Sequence, residues 1–245
     1  MMLFPLLLLA TALISVCAQS AMRFSSNSAL IEHLARIGVL RSEKVRSAML
    51  AVDRKNYCLP ATVSHAYDDS PQYIGFDATI SAPHMHAYCM DKLLPFIIER
   101  ECNVMDVGCG SGYLCALISR INPKATVYGI DIKPGLVELS AANIRKKDGD
   151  LLDTGRVRLS EGSGWDGVPG GLLFDAIHVG AAAESVPRSL LQQLKIGGTL
   201  IVPVGPEGYS QKLVQVTRKG GSGNDDRDFH IDEILDVAFV PLVKE

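Results

Sequence analysis

The chain has 245 residues, a formal net charge of −3 and 47% hydrophobic residues. That length holds one substantial α/β core, and the slightly acidic balance argues against nucleic acid as a partner. With 21% charged residues the composition is globular, not disordered.

The first feature in chain order is apolar: Leu3 to Val16 carries almost no polar side chain. The run matches a signal-peptide core and falls short of the ~20 residues that span a bilayer. Val16-Cys17-Ala18 offers a small-residue cleavage pattern, but no Lys or Arg precedes the run. The alternative is that Met22 is an in-frame start. The expected division is a signal-like or anchor-like leader over 1–21 and a single domain over 22–245. The cysteines are Cys17, Cys58, Cys89, Cys102, Cys109 and Cys115, with no CxxC spacing. They read as free thiols of a reducing compartment, which favours the cytoplasm over the secretory pathway or a membrane anchor.

Ser28 to Leu50 has helix-like apolar spacing broken near Gly38, so two short helices are expected, the second capped by Ser42. Asp53 to Pro83 reads as a long irregular segment, and a loop of that length inside a compact domain is usually functional. His84 to Arg100 reads as a helix.

A regular alternation follows. Strands are expected at Asn103–Val107, Thr126–Ile130, Arg156–Leu159, Phe174–Val179, Gly198–Val204, Lys212–Thr217 and Ile234–Leu242. Helices are expected at Gly112–Ile121, Pro134–Lys147 and Pro187–Leu194, with a turn over 220–226. This pattern implies βαβ units: a doubly wound, Rossmann-like, mainly parallel α/β sheet with helices on both faces. The last two strands lack an intervening helix and are expected to be antiparallel. The helices before the sheet form an N-terminal extension. Ligand loops then lie at the carboxyl ends of the strands, near the switch point.

Met105-Asp106-Val107-Gly108-Cys109-Gly110-Ser111-Gly112 ends one strand and opens a helix. Its glycines permit a sharp turn and close backbone approach to a ligand. Asp131 ends the next strand, where an acid can hydrogen-bond ribose hydroxyls. A dinucleotide enzyme wants G-x-G-x-x-G, a spacing not met here. An acid just before the glycines repels a pyrophosphate and suits a cation such as S-adenosyl-L-methionine, which carries a sulfonium and an ammonium. A methyltransferase is therefore the first expectation. A nicotinamide-dependent enzyme and a tight turn without a ligand stand as alternatives.

Composition does not explain the segment Asp69-Ser70-Pro71-Gln72-Tyr73-Ile74-Gly75-Phe76-Asp77-Ala78-Thr79-Ile80-Ser81-Ala82-Pro83-His84-Met85-His86-Ala87. It closely resembles the substrate-side signature of protein-L-isoaspartate (D-aspartate) O-methyltransferases. The glycine turn resembles the same family, as do Asp175–Ala183, Leu194–Gly198, Val202–Pro206 and Phe239–Leu242. The similarity runs from about Ser28 to Leu242.

That resemblance implies transfer of the methyl of S-adenosyl-L-methionine to the free carboxyl of an L-isoaspartyl or D-aspartyl residue in a damaged protein. The ester then cyclises to a succinimide, whose hydrolysis returns part of the material to normal linkage. The resemblance also implies roles. Ala78, Thr79, Ile80 and Ser81 would line the boundary between cofactor and substrate, with Ser81 the active-site hydroxyl. His86 would lie near the methionine end of the cofactor. Asp106 and Asp131, with the Gly108–Gly110 turn, would hold its methionine part and ribose. Ser163 and Gly164 would sit beside the adenine, and Val243 would fall at a further cofactor contact. The partners expected are damaged proteins and peptides, with no nucleic acid and no metal, and a monomer.

Two residues depart from the family pattern. Ser163 stands where an acid is common and so loses charge assistance toward the adenine amino group, typically worth ~1 kcal/mol or more. Val243 stands where Thr is common and offers no hydroxyl. Two other readings remain bland: Ser81 as a helix N-cap before Ala82-Pro83, and His178 as a hydrogen-bonded core histidine.

Overall fold

The computed structural model describes residues 23–244. The leader over 1–21, Cys17 and the choice of Met22 as start lie outside the described residues. Among the described residues no helix is long and apolar enough to cross a membrane.

Helix α1 (Asn27–Arg36) starts at Ser26, whose hydroxyl accepts from the Ala29 N–H. Helix α2 (Glu43–Ala51) starts at Ser42, which accepts from the Val45 N–H at 3.4 Å, as its sequence position anticipates. Gly38, at φ +75°, makes the break between them. A buried hydrogen bond of 2.7 Å from the Tyr57 hydroxyl to Asp148 ties this extension to the sheet domain.

The sheet domain comprises β3 (Cys102–Val107), α4 (Tyr113–Ile121), β4 (Ala125–Asp131), α5 (Pro134–Lys147), the short α6 (Asp150–Asp153) and β5 (Val157–Glu161). It continues with β6 (Phe174–Val179), α7 (Arg188–Gln192), β7 (Leu194–Val204), β8 (Gln211–Arg218) and β9 (Phe229–Val237). The strand order is β5-β4-β3-β6-β7-β8-β9. The first five are parallel to one another, and β8 is antiparallel to both β7 and β9. The chain leaves β3 toward one edge and returns through β6 on its other side, so the switch point lies between β3 and β6.

Two apolar layers cover the sheet. One packs α1, α2, the helix Pro83–Ile97 and α4 to α6 against side chains such as Val104, Val127 and Ala176; the other packs α7 and Trp165 against Met105, Val107 and Ile177. One cross-sheet row runs Leu159, Gly129, Asp106, His178, Ile201. Gly129 leaves the room that Cys115 and Cys109 fill.

Four elements differ from the sequence reading. The irregular segment after Asp53 contains a β-hairpin, β1 (Gln72–Gly75) with β2 (Ala78–Ile80), followed by α3 (Pro83–Ile97). The hairpin turns through Phe76 and Asp77 at φ 53° and 55°. Such turns normally use Asn-Gly or Asp-Gly, so Phe-Asp gives no local signal. The last strand lies over Phe229–Val237, N-terminal to the expected Ile234–Leu242. It is an edge strand whose exposed acids fit it to that place and block further pairing, while Pro241 bridges Ala182 instead. Strand β7 begins at Leu194, before Gly198, and shortens the preceding helix. Helix α6 is one turn long and below the length at which periodicity is readable.

A Cβ added at Gly129 would lie 2.7 Å from both Cys115 Sγ and Leu159 Cδ2. Gly129→Ala is therefore expected to destabilise the fold by about 1–3 kcal/mol through overpacking, read as a lower denaturant midpoint with unchanged slope.

Candidate active site

Asp106 on β3 and His178 on β6 pair one residue before the carboxyl ends of these strands, and the β3–α4 turn follows directly. Gly108, Gly110 and Gly112 have φ of 70°, 53° and 81°. Only glycine takes three such conformations in five residues without strain. The N–H groups of Gly108 and Cys109 donate to Ile130 O at 2.8 and 3.0 Å, and the Gly110 N–H donates to Asp131 Oδ2 at 3.0 Å. The turn is thus pinned to the end of β4. A Cβ at Gly108 would meet nothing within 4 Å, so that side of the turn faces open space.

The hairpin covers the turn from above. Ile74 Cδ1 lies 3.2 Å from where a Gly110 Cβ would be. The hairpin tip is latched: Phe76 covers Gly135 at the start of α5, where an added Cβ would lie 2.2 Å from the ring, and Lys133 Nζ donates to Phe76 O. Beneath the hairpin lies a cavity of about 30 Å³. Its walls are Thr79, Ile80 and Ser81 from β2 and the residue after it, His86 from α3, Asp106 from β3, Gly108 to Ser111 from the turn, Tyr113 from α4, and His178 and Gly180 from β6. A depression of about 490 Å³ at the opposite, amino edge of the sheet is lined by Glu101, Lys124, Lys195 and their neighbours, away from these residues.

Of the residues expected from sequence, Thr79, Ile80, Ser81, His86, Asp106, Gly108 and Gly110 meet at this cavity. Ala78 precedes them on β2. Asp131 sits one hydrogen bond away, accepting from Gly110 and, through Oδ1, from the Lys133 N–H at 3.1 Å. Ser163 and Gly164 lie on the far side of the end of β3, where a Cβ at Gly164 would be 2.5 Å from Val107 Cγ1. There the Ser163 hydroxyl accepts from the Trp165 N–H, and Trp165 Nε1 donates to Leu242 O at 3.0 Å. Val243 follows Leu242, is 37% exposed and is not part of the cavity wall.

Ser81 is not the cap of α3. The N-cap residue is Ala82, without a side-chain cap, and the His84 N–H is met instead by Asp69 Oδ1 at 3.0 Å. The Ser81 hydroxyl is therefore left to the cavity.

Electrostatics divide the walls. Burial pushes the Asp131 carboxyl up, offset only in part by the Lys133 and Gly110 N–H bonds. Burial, with Arg54, His178 and His84 nearby, pushes His86 well below its ordinary value and keeps it neutral. Its Nδ1 lies 3.4 Å from Arg54 Nη1, so the assigned proton is on Nε2. Arg54 is itself 1% exposed and reaches Ser70 O and Ile80 O at 3.4 Å. Asp106 Oδ1 lies 2.9 Å from His178 Nδ1, and Cys115 Sγ donates to Oδ2 at 3.3 Å.

Sequence reasoning missed Arg54 and Asp69 and gave His178 only a core role. His178 is buried and hydrogen-bonded as expected, but it also walls the cavity. Its signal is position: the carboxyl-end half of a central strand, two residues before Gly180. Arg54 and Asp69 carry no local pattern. Among the described residues no cluster of His, Cys and acids is arranged to hold a metal.

The family model described as protein-L-isoaspartate (D-aspartate) O-methyltransferase matches residues 25–245. A Triticum aestivum protein-L-isoaspartate O-methyltransferase is 41% identical over 218 residues, covering 88% of this chain and 90% of its own. The Caenorhabditis elegans protein-L-isoaspartate O-methyltransferase is 40% identical over 198 residues, 80% of this chain and 86% of the relative. A crystal structure of a Plasmodium falciparum protein of that name, in complex with S-adenosyl-L-homocysteine, superposes with a TM-score of 0.80 at 33% identity. It covers 91% of this chain and 100% of the other.

The Asp69–His84 contact that starts α3 beside Ser81 has a pH signature. Burial alone would raise the Asp69 carboxyl, but the hydrogen bonds and charge of His84, with Arg54 behind, hold it below its ordinary value. A depressed carboxyl adds stability above its unfolded value, about 3.9, and loses it as pH falls through the folded value. The stability gap between wild type and Asp69→Asn is expected to shrink as pH falls below about 4, measured by denaturant titration at each pH.

Proposed function

The chain belongs to the protein-L-isoaspartate (D-aspartate) O-methyltransferase family, and from that premise we propose how its residues hold the methyl donor and the acceptor. The reaction moves a methyl from S-adenosyl-L-methionine to the free carboxyl of L-isoaspartyl, or D-aspartyl, residues of damaged proteins and so starts their repair. One observation carries the assignment of residues: Ser81, His86 and Asp106, from three separate elements, face one cavity at the switch point.

The donor fits what surrounds that cavity. The open side of Gly108 admits a ligand against the backbone. Carboxylates at Asp106 and Asp131 flank the turn and suit a cationic ligand with hydroxyls rather than a pyrophosphate. S-adenosyl-L-methionine, when bound, supplies an electrophilic methyl on a sulfonium. Asp131 is placed for the ribose, His86 for the methionine end as a neutral donor, and Ser163 with Gly164 for the adenine.

The acceptor carboxyl is already ionised at neutral pH, its pKa being about 4. No general base is needed, and Ser81 carries no hydrogen-bonded base. Opposite charges cancel as the methyl passes, so a strong cation on the acceptor would stabilise the ground state more than the transition state. Ser81 meets the requirement as one short neutral donor that orients an oxygen. The hairpin above it supplies water exclusion. Five described cysteines, all free and buried, support a reducing compartment, and we place the enzyme in the cytoplasm. We propose that it acts as a monomer.

Labelled S-adenosyl-L-methionine with two matched peptides tests the reading: label is expected on the isoaspartyl peptide alone. Label on both peptides makes it a broader carboxyl methyltransferase, and binding without transfer makes it a non-catalytic module. Ser81→Ala is expected to lower kcat/KM on the isoaspartyl peptide about three- to tenfold; an unchanged value removes Ser81 from the mechanism. Ser163→Asp is expected to tighten donor binding by up to about tenfold through charge assistance, read by calorimetry.

A further inference from the structure

Asp106 and His178 are register partners on β3 and β6, the two strands that flank the switch point. Their side chains point to the same face and meet at 2.9 Å, and the residues are 1% and 4% exposed. From α3, Cys89 and His86 lie nearby, and β7 places Ile201 beside His178. From α4, Cys115 donates to the second oxygen of Asp106. Strand β4 places Gly129 beside Asp106 and contributes Asp131 at its end. Arg54, from the 3₁₀ turn over 54–57, reaches His86 rather than Asp106. Among the described residues, His178 is the one cationic partner of Asp106.

We propose that His178 is a positioning residue, holding Asp106 in a buried ion pair so that the methyl donor meets a fixed dipole instead of a bare negative charge. The proposal rests on the reading that Asp106 belongs to the donor's site. Its logic is electrostatic. The sulfonium charge disappears during transfer, so an uncompensated carboxylate beside it stabilises the charged reactant more than the transition state. A buried acid without a partner also loses its reason to stay ionised and aimed. The imidazolium answers both: it fixes the carboxylate through one oxygen and removes most of its net charge. Burial opposes the proton on His178, but the bond and charge of Asp106, with Cys89 nearby, outweigh that and push its pKa up to about 10.

The test combines nitrogen-15 NMR of histidine-labelled wild-type protein with calorimetric titration of S-adenosyl-L-methionine and S-adenosyl-L-homocysteine, which differ by the sulfonium charge. Both ring nitrogens of His178 are expected to be protonated at pH 7.5; a neutral ring overturns the proposal without any variant having to fold. In His178→Gln the preference for the methyl donor over the demethylated product is expected to rise about tenfold, with kcat falling. Equal weakening of both ligands is what lost packing alone does, and it overturns the proposal. If Asp106→Asn changes neither affinity, Asp106 is outside the donor's site, and the proposal falls with that reading even though His178 is protonated.

Discussion

A carboxylate cannot remain charged at the centre of a sheet without a partner, and Asp106 is 1% exposed. Its contact with His178 is the constraint from which the site follows. It joins β3 to β6 where their connections part to opposite edges of the sheet, and so fixes the crevice into which the ligand loops project. The row through Gly129 makes the arrangement possible. Glycine there leaves space for Cys115, whose thiol meets the second oxygen of Asp106. The acid is then held on two sides, and its remaining exposure is toward the cavity.

The second constraint is the hairpin. Two consecutive non-glycine residues at positive φ form its turn, a conformation disfavoured for a bulky side chain by steric clash at Cβ. What holds it is tertiary: the Phe76 ring over Gly135 and the Lys133 ammonium on the Phe76 carbonyl. This latch lays β2 across the glycine turn and delivers Ser81 to the cavity. It also narrows the cavity to about 30 Å³.

Charge around the cavity is arranged by element. The sheet contributes the paired Asp106 and His178, the loops contribute Asp131, and α3 contributes a neutral His86 backed by the buried Arg54. A reaction in which opposite charges cancel gains little from strong cations and more from alignment. The neutral Ser81 hydroxyl beside a neutral His86 agrees with that requirement. Ser163 is a neutral residue whose hydroxyl accepts from the Trp165 N–H, so the 163–164 turn brings no charge of its own to this side of β3.

Much of this was legible in the chain itself. The βαβ alternation, the caps at Ser42, the glycine turn and the acids at 106 and 131 are local patterns. Local patterns suffice because strand, turn and helix signals act over a few residues. The resemblance around Asp69–Ala87 implied roles for Ser81 and His86, and both residues line the cavity. What only the tertiary structure decided are pairings between residues distant in sequence. These are Asp106 with His178, Phe76 with Gly135, Asp69 as the partner of the His84 N–H, and Arg54 behind Ile80. Each joins separate elements, and its energy depends on burial and on a partner's position, neither of which a local window of sequence contains. The placement of β9 belongs with them. Its acidic half pairs because an edge position needs only one hydrogen-bonded side, and being an edge is a property of the sheet.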